Sequence, residues 1–271
     1  RVWDTRTGQC QHVISGHAKP VLWCHLSPTL NRGRIVLASH GKDHKCRLFD
    51  LPRWRERGSN IINRVFEGVY KFGAGISISP CGTLVATLPS LDVCCVRSMD
   101  TGQVIQQWRI GYEAYGIGFL PKHQHDRGRG GRGNEHGGAD TLLLTSNVEK
   151  VIVWKALTGE RITEISKGSS KVFFQLAICP TGDMMASVSS SNSQFYVWEV
   201  QTGKCILQTV DYEGSVRGMA FSPLSFSDAQ SPMGKTTLAI YYWDGTIRLC
   251  DLQTQIEEWK KNGEKDVYED M

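Results

Sequence analysis

Val151-Ile152-Val153-Trp154-Lys155-Ala156-Leu157-Thr158-Gly159 decides the fold. A run of branched apolar residues ends in tryptophan, and a Thr-Gly turn follows a few residues later. The phrase returns as Val2-Trp3-Asp4-Thr5-Arg6-Thr7-Gly8 and as Val197-Trp198-Glu199-Val200-Gln201-Thr202-Gly203. Weaker copies run Arg47-Leu48-Phe49-Asp50, Val96-Arg97-Ser98-Met99-Asp100-Thr101-Gly102 and Arg248-Leu249-Cys250-Asp251-Leu252-Gln253-Thr254. The closing residues Asp4, Asp50, Asp100, Ala156, Val200 and Asp251 are 46, 50, 56, 44 and 51 apart. A period of this size marks one supersecondary unit stacked on its neighbours.

Reading outward from the phrase, every unit has the same grammar. An inner apolar strand is stopped by proline, as in Val21 to Pro28, Gly75 to Pro80, Tyr115 to Pro121, Phe174 to Pro180 and Val216 to Pro223. Proline cannot donate to a ladder, so the strand ends there. A second strand follows: Ile35 to Ser39, Leu84 to Leu88, Leu142 to Ser146, Met184 to Ser189 or Thr237 to Tyr242. Four short strands per unit with Gly/Pro turns between them give an all-β architecture. No convincing amphipathic helix is visible; the one short candidate is Ile256 to Lys261.

Composition narrows the class. The chain has 271 residues, 40% of them hydrophobic, and a net charge of +4, too mild by itself to imply nucleic acid. Nine cysteines without a Cys-x-x-Cys pair read as reduced thiols in a cytoplasmic or nuclear setting. No run is long enough to span a membrane, and no signal peptide is visible. Catalysis has no support: there is no phosphate-cradling glycine loop opening a helix, no His-Glu-x-x-His and no nucleophile elbow. Neither a cofactor nor a metal nor a small-molecule substrate is expected.

The phrases Ser15-Gly16-His17, Leu26-Ser27-Pro28, Leu37-Ala38-Ser39, Asp43 and Leu48-Phe49-Asp50 resemble the WD repeat of β-propellers, and the likeness covers nearly the whole chain. It implies four-stranded blades. Five begin near Lys19, Lys71, Glu113, Lys171 and Gly214, and Arg1 to Ile14 would be the outer half of a sixth. The resemblance implies closure with seven blades; since the chain starts at Arg1 inside a repeat, the arc is expected to be a piece of such a ring, the alternative being closure as a strained smaller one. Residues 1–254 would be the propeller, and 255–271 the last outer strand and an acidic tail. The resemblance also implies a structural hydrogen-bond chain from a turn His through a strand Ser or Thr and a turn Asp to a strand Trp. Here it would draw on His17, Ser39, Asp43, Trp154 and Trp198. No unit carries the full set: Phe49 stands at the Trp position of the first full blade, and the third and fourth lack the His.

Two interaction surfaces emerge. The turns entering each first strand and joining second to third strands collect Lys19, Lys42, Tyr70, Tyr112, Lys171, Tyr212, Arg217 and Trp243. Tyr, Trp and Arg are the residue types that dominate binding hot spots. This rim would grip a protein or peptide, with the chain serving as a non-catalytic scaffold in a multiprotein complex. Insertions at 29–34, 122–139 and 224–235 leave the opposite side. The longest holds Arg127, Arg129 and Arg132 among glycines, a composition that cannot bury a core and is expected to be disordered. Its arginines offer an alternative function, contact with RNA or a ribonucleoprotein.

Overall fold

Alternation turns these runs into blades. Successive side chains of a strand leave opposite faces, so a run such as Leu84 to Leu88, apolar on both, must be sandwiched between two neighbours. The computed structural model describes residues 1–4, 6–27, 35–51, 62–67, 75–121, 141–166, 175–188, 194–209, 216–222 and 236–261. They form a β-propeller of antiparallel blades. A hairpin of β1 (Val2–Trp3) and β2 (Cys10–His12) comes first. Blade 1 is β3 (Val21–Leu26), β4 (Ile35–Gly41), β5 (Lys45–Leu51) and β6 (Ile62–Glu67). Blade 2 is β7 (Ile76–Ile78), β8 (Leu84–Ser90), β9 (Val93–Ser98) and β10 (Val104–Arg109). Blade 3 is β11 (Gly116–Phe119), β12 (Leu142–Ser146), β13 (Lys150–Lys155) and β14 (Arg161–Ser166). Blade 4 is β15 (Gln175–Ile178), β16 (Met184–Val188), β17 (Phe195–Glu199) and β18 (Cys205–Gln208). Blade 5 has, among the described residues, β19 (Val216–Phe221), β20 (Thr237–Tyr242) and β21 (Ile247–Asp251). The inner strands neighbour one another in chain order, β3 to β7 to β11 to β15 to β19.

The repeating phrase has a structural meaning. The ladder between third and fourth strands shifts register at Leu48/Phe49, Val153/Trp154 and Val197/Trp198, and the β1–β2 hairpin does so at Val2/Trp3. An extra residue at that point bends the strand and increases its twist. In blades 3 and 4 the bulge therefore falls at the tryptophan that packs into the blade interface, Trp154 and Trp198.

Register fixes what each interface is made of. One row of each blade points forward along the chain: His25–Ala38–Leu48, Ser77–Ala86–Val96, Gly118–Leu144–Val153, Ala177–Ala186–Val197 and Ala220–Ala239–Leu249. Small residues dominate its inner strands, where blades converge. A Cβ added to Gly118 would lie 2.6 Å from Ile178 Cδ1 of the next blade. The row behind is bulky, as in Phe119–Leu143–Trp154 and Ile178–Met185–Trp198. Four buried clusters result, joining blades 1 and 2, 2 and 3, 3 and 4, and 4 and 5. Each Val, Leu, Ile or Phe buried there contributes about 1.5–3 kcal/mol.

The C-terminal part departs from expectation. Where the sequence suggests an outer strand starting at Gln255, the chain forms helix α1 (Leu252–Lys261). Asp251 caps it: Oδ1 accepts from the amides of Gln253 at 3.2 Å and Thr254 at 3.5 Å. Leu252, Ile256 and Trp259, spaced four and three apart, share one face and pack on the core between blades 4 and 5. Lys260 and Lys261 lie in the last turn, where the helix dipole favours cations. No helix among the described residues is long and apolar enough to cross a membrane.

Candidate functional site

Gly41 to His44 is a tight turn between β4 and β5, and it positions one corner of the rim. Lys42 N donates to Pro20 O at 2.9 Å, tying this turn to the segment that leads into β3. Lys19 and Lys42 are both exposed at this corner. Beneath them Asp43 gathers four donors: His17 Nδ1 at 2.8 Å, Arg47 at 2.8 Å, Ala18 N at 3.2 Å and Lys45 N at 3.4 Å. Ser39 Oγ lies 2.8 Å from His17 Nε2. A carboxylate has no proton to give, so the bond to Asp43 requires a proton on Nδ1; Arg47 Nη1, itself a donor, also lies 2.7 Å from Nδ1. Burial by itself would raise the Asp43 pKa; the hydrogen bonds from His17, Ala18 and Arg47 outweigh it and hold the carboxyl well below its usual range. The side chains of Asp43 and Arg47 are only 6% and 9% exposed, so this is an interior ion pair under a polar corner. Ser39, His17 and Asp43 are thus joined in the order of a Ser-His-Asp relay, with Ser39 only 4% exposed.

Arg47 is a member that sequence reasoning misses. Phe49 at the tryptophan position cannot donate, and Arg47, two residues earlier on the same face of β5, brings its charge to Asp43 instead. The available signal was an arginine four residues after the turn aspartate, inside an apolar run.

Blade 3 solves the same problem differently. Trp154 Nε1 donates to Thr145 Oγ1 at 2.8 Å. Tyr112, on the segment leading into β11, brings its hydroxyl to 2.7 Å from Thr145 Oγ1 and 2.9 Å from Thr145 O. The phenol thus stands where the first blade uses a histidine. Tyr112 is half-buried, and burial pushes its pKa up. Lys150 Nζ covers its ring at 5.1 Å from the centroid. Trp108 packs against Trp154 with centroids 5.9 Å apart. In blade 4, Trp198 Nε1 donates to Ser187 Oγ at 2.8 Å.

Trp243 occupies the tip of the β20–β21 turn and is 65% exposed. The turn is braced from within. Thr246 N and Oγ1 both donate to Asp244 Oδ1, at 2.8 and 2.7 Å, and Gly245 N donates to Tyr242 O at 3.1 Å. Arg217 is placed on β19 by its backbone. Tyr70, Lys171, Tyr212, Arg127, Arg129 and Arg132, and the insertions at 29–34, 122–139 and 224–235, lie outside the described residues.

None of the nine cysteines is paired in a disulfide, and Cys10 and Cys24 are exposed. Burial raises the thiol pKa of Cys94 and Cys95, the vicinal pair in β9, which keeps them protonated and unreactive. Among the described residues no group of three His, Cys, Asp or Glu side chains is placed to hold a metal ion.

Two curated relatives match part of this chain. One is Periodic tryptophan protein 2 homolog of Mus musculus, 27% identical over 88 residues, which is 32% of this chain and 8% of that protein. The other is Periodic tryptophan protein 2 of Saccharomyces cerevisiae, 35% identical over 86 residues, 31% of this chain and 8% of that protein. The matched part thus spans less than a tenth of these relatives' length. No family model matches the chain. At low identity and coverage, these partial matches and the bladed architecture together support a β-propeller of the WD-repeat type.

Proposed function

We propose that this propeller is a non-catalytic scaffold that binds a protein partner through its rim, as part of a multiprotein complex. One observation carries the reading: Trp243, 65% exposed, is held out on a turn fixed by the Asp244–Thr246 hydrogen bonds. A large aromatic on a rigid turn loses little conformational freedom on binding, which is what makes a hot spot. The corner carrying Lys19 and Lys42 obeys the same logic, because the buried Asp43 network sets its geometry before any partner arrives. Its charge suits an acidic segment.

The test is affinity capture on the full chain, with and without nuclease. Trp243→Ala and the pair Lys19→Glu/Lys42→Glu serve as altered baits. The rim reading expects a protein partner that survives nuclease and is lost with either altered bait while the melting temperature stays unchanged. A partner released by nuclease and weakened steeply by salt would move the function to RNA contact by Arg127, Arg129 and Arg132. Partners kept by both altered baits would sink the rim assignment.

A further inference from the structure

The first strand of a blade has one edge without a partner in its own sheet. β7 is such a strand: Gly75 O and Ser79 N both bond to β8. The alternate residue Ile78 therefore directs its amide off the sheet. Ile78 is 1% exposed, so that amide needs a partner inside the protein. His25 of β3 supplies it. Its Nδ1 accepts from Ile78 N at 3.1 Å, across the joint between blades 1 and 2. The next joint is built on the same plan. Ser77 stands in blade 2 where His25 stands in blade 1, and Phe119 stands in blade 3 where Ile78 stands in blade 2. Ser77 Oγ accepts from Phe119 N at 3.1 Å. At the two following joints the accepting position is held by Gly118 and Ala177, which have no side-chain acceptor.

Histidine and serine differ as acceptors. A hydroxyl accepts at any ordinary pH. An imidazole accepts at Nδ1 only while that nitrogen is bare, so the bond to Ile78 requires the neutral ring with its proton on Nε2. Protonation would set one donor against another. Burial lowers the His25 pKa, with no charged neighbour contributing. β3 packs against β4 and β7. β4 carries His40 on the same face as His25, and β7 carries no titratable side chain. Farther along the joint stand Cys46 of β5 and Cys95 and Arg97 of β9, and register puts Asp50 and Arg64 on the same face of blade 1.

We propose that His25 is a proton-operated latch between blades 1 and 2: the neutral ring holds Ile78 N and closes the joint, the imidazolium releases it, and the Ser77 joint between blades 2 and 3 stays shut. The latch is separate from the rim, and its failure would leave the rim reading standing. In the opened joint the ring meets water and takes up a proton near its ordinary value, about 6.5, whereas in the closed joint it resists. Opening is therefore favoured as pH falls below about 6.5, by up to about tenfold per unit, until the closed form itself protonates.

Amide hydrogen exchange on the full chain reads both joints at once, as protection factors corrected for the intrinsic pH dependence of exchange. Between about pH 7.5 and about pH 5.5, protection at Ile78 should fall severalfold, with a ceiling of about tenfold, while Phe119 holds steady. His25→Asn places an acceptor that does not titrate near the position of Nδ1 and should abolish the fall. His40→Leu should leave the fall in place, which separates this joint from the buried His40. Ile78 protection that is flat with pH in the wild type would overturn the proposal, and so would an equal fall at Phe119. A fall that survives in His25→Asn, or that vanishes in His40→Leu, would overturn it as well. The wild-type comparison of Ile78 with Phe119 decides the matter even where a variant fails to fold.

Discussion

Replacing Asp43 with alanine isolates what the buried corner of blade 1 contributes. The substitution removes the acceptor for His17 Nδ1, Arg47 and the Ala18 amide together. Arg47 stays charged, and with its side chain 9% exposed it has little water to turn to. Breaking a buried pair from one side costs about 3–5 kcal/mol, because the abandoned charge is the expensive part. Chemical denaturation monitored by tryptophan fluorescence measures that loss. Hydrogen exchange should place it in β3 to β5 first, with blades 3 and 4 little affected. Asp43→Ala combined with Arg47→Met removes both charges and should recover a large share of the cost. Acidification gives an independent check. The folded carboxyl titrates below its usual range, so its contribution is fully present above about pH 4 and drains away as pH falls further. The wild type should show that loss and Asp43→Ala should not. A loss under about 1 kcal/mol for Asp43→Ala, with no recovery in the double variant, would refute the reasoning. Asp43 would then be an ordinary surface turn residue.

Gly41→Ala should mimic much of this damage without removing a polar group. Its Cβ would sit 2.5 Å from His17 Nδ1 and 2.7 Å from Asp43 Oδ1, forcing the pair apart, and a melt beside Asp43→Ala checks it. Trp198→Phe and Ser187→Ala, taken singly and together, should reveal a coupling of about 1 kcal/mol, the ordinary net worth of one buried hydrogen bond. His40 is fully buried, and neither ring nitrogen has a partner among the described residues. Burial first, then His17 and His44, lower its pKa against the opposing pull of Asp43. Stability should therefore fall as pH drops below about 6.5, where the unfolded chain takes up the proton and the folded one resists it. Melting curves between pH 7.5 and about pH 5 should be flatter for His40→Leu than for the wild type.

The blades were legible because two periodicities coincide in the sequence. Alternation along each strand and a repeat near fifty residues both depend on local residue type, and the structure places β12 and β20 within the bounds the alternation suggests. The helix at the end was harder to see. Leu252, Ile256 and Trp259 are three apolar residues among polar ones, too few to announce a period unless the core between blades 4 and 5 is known to be there to receive them. The hydrogen-bond chains were legible only in part, for a similar reason. A histidine, serine and aspartate at family spacing can be read off blade 1. That Arg47 replaces an absent donor there, or that Tyr112 answers Thr145 across thirty-three residues in blade 3, depends on tertiary geometry. Tyr112 was legible as a residue type and was expected on the rim, yet its hydroxyl belongs to the internal chain. An interior acceptor such as Thr145 must be satisfied before the surface can use its neighbours. The same rule bears on Trp243. Its supporting bonds close within the turn, between Asp244 and Thr246, so the indole can be presented outward without leaving a buried polar group behind. A rim residue is available to a partner to the extent that its surface is left uncovered, and on that ground Trp243, 65% exposed, ranks above the half-buried Tyr112.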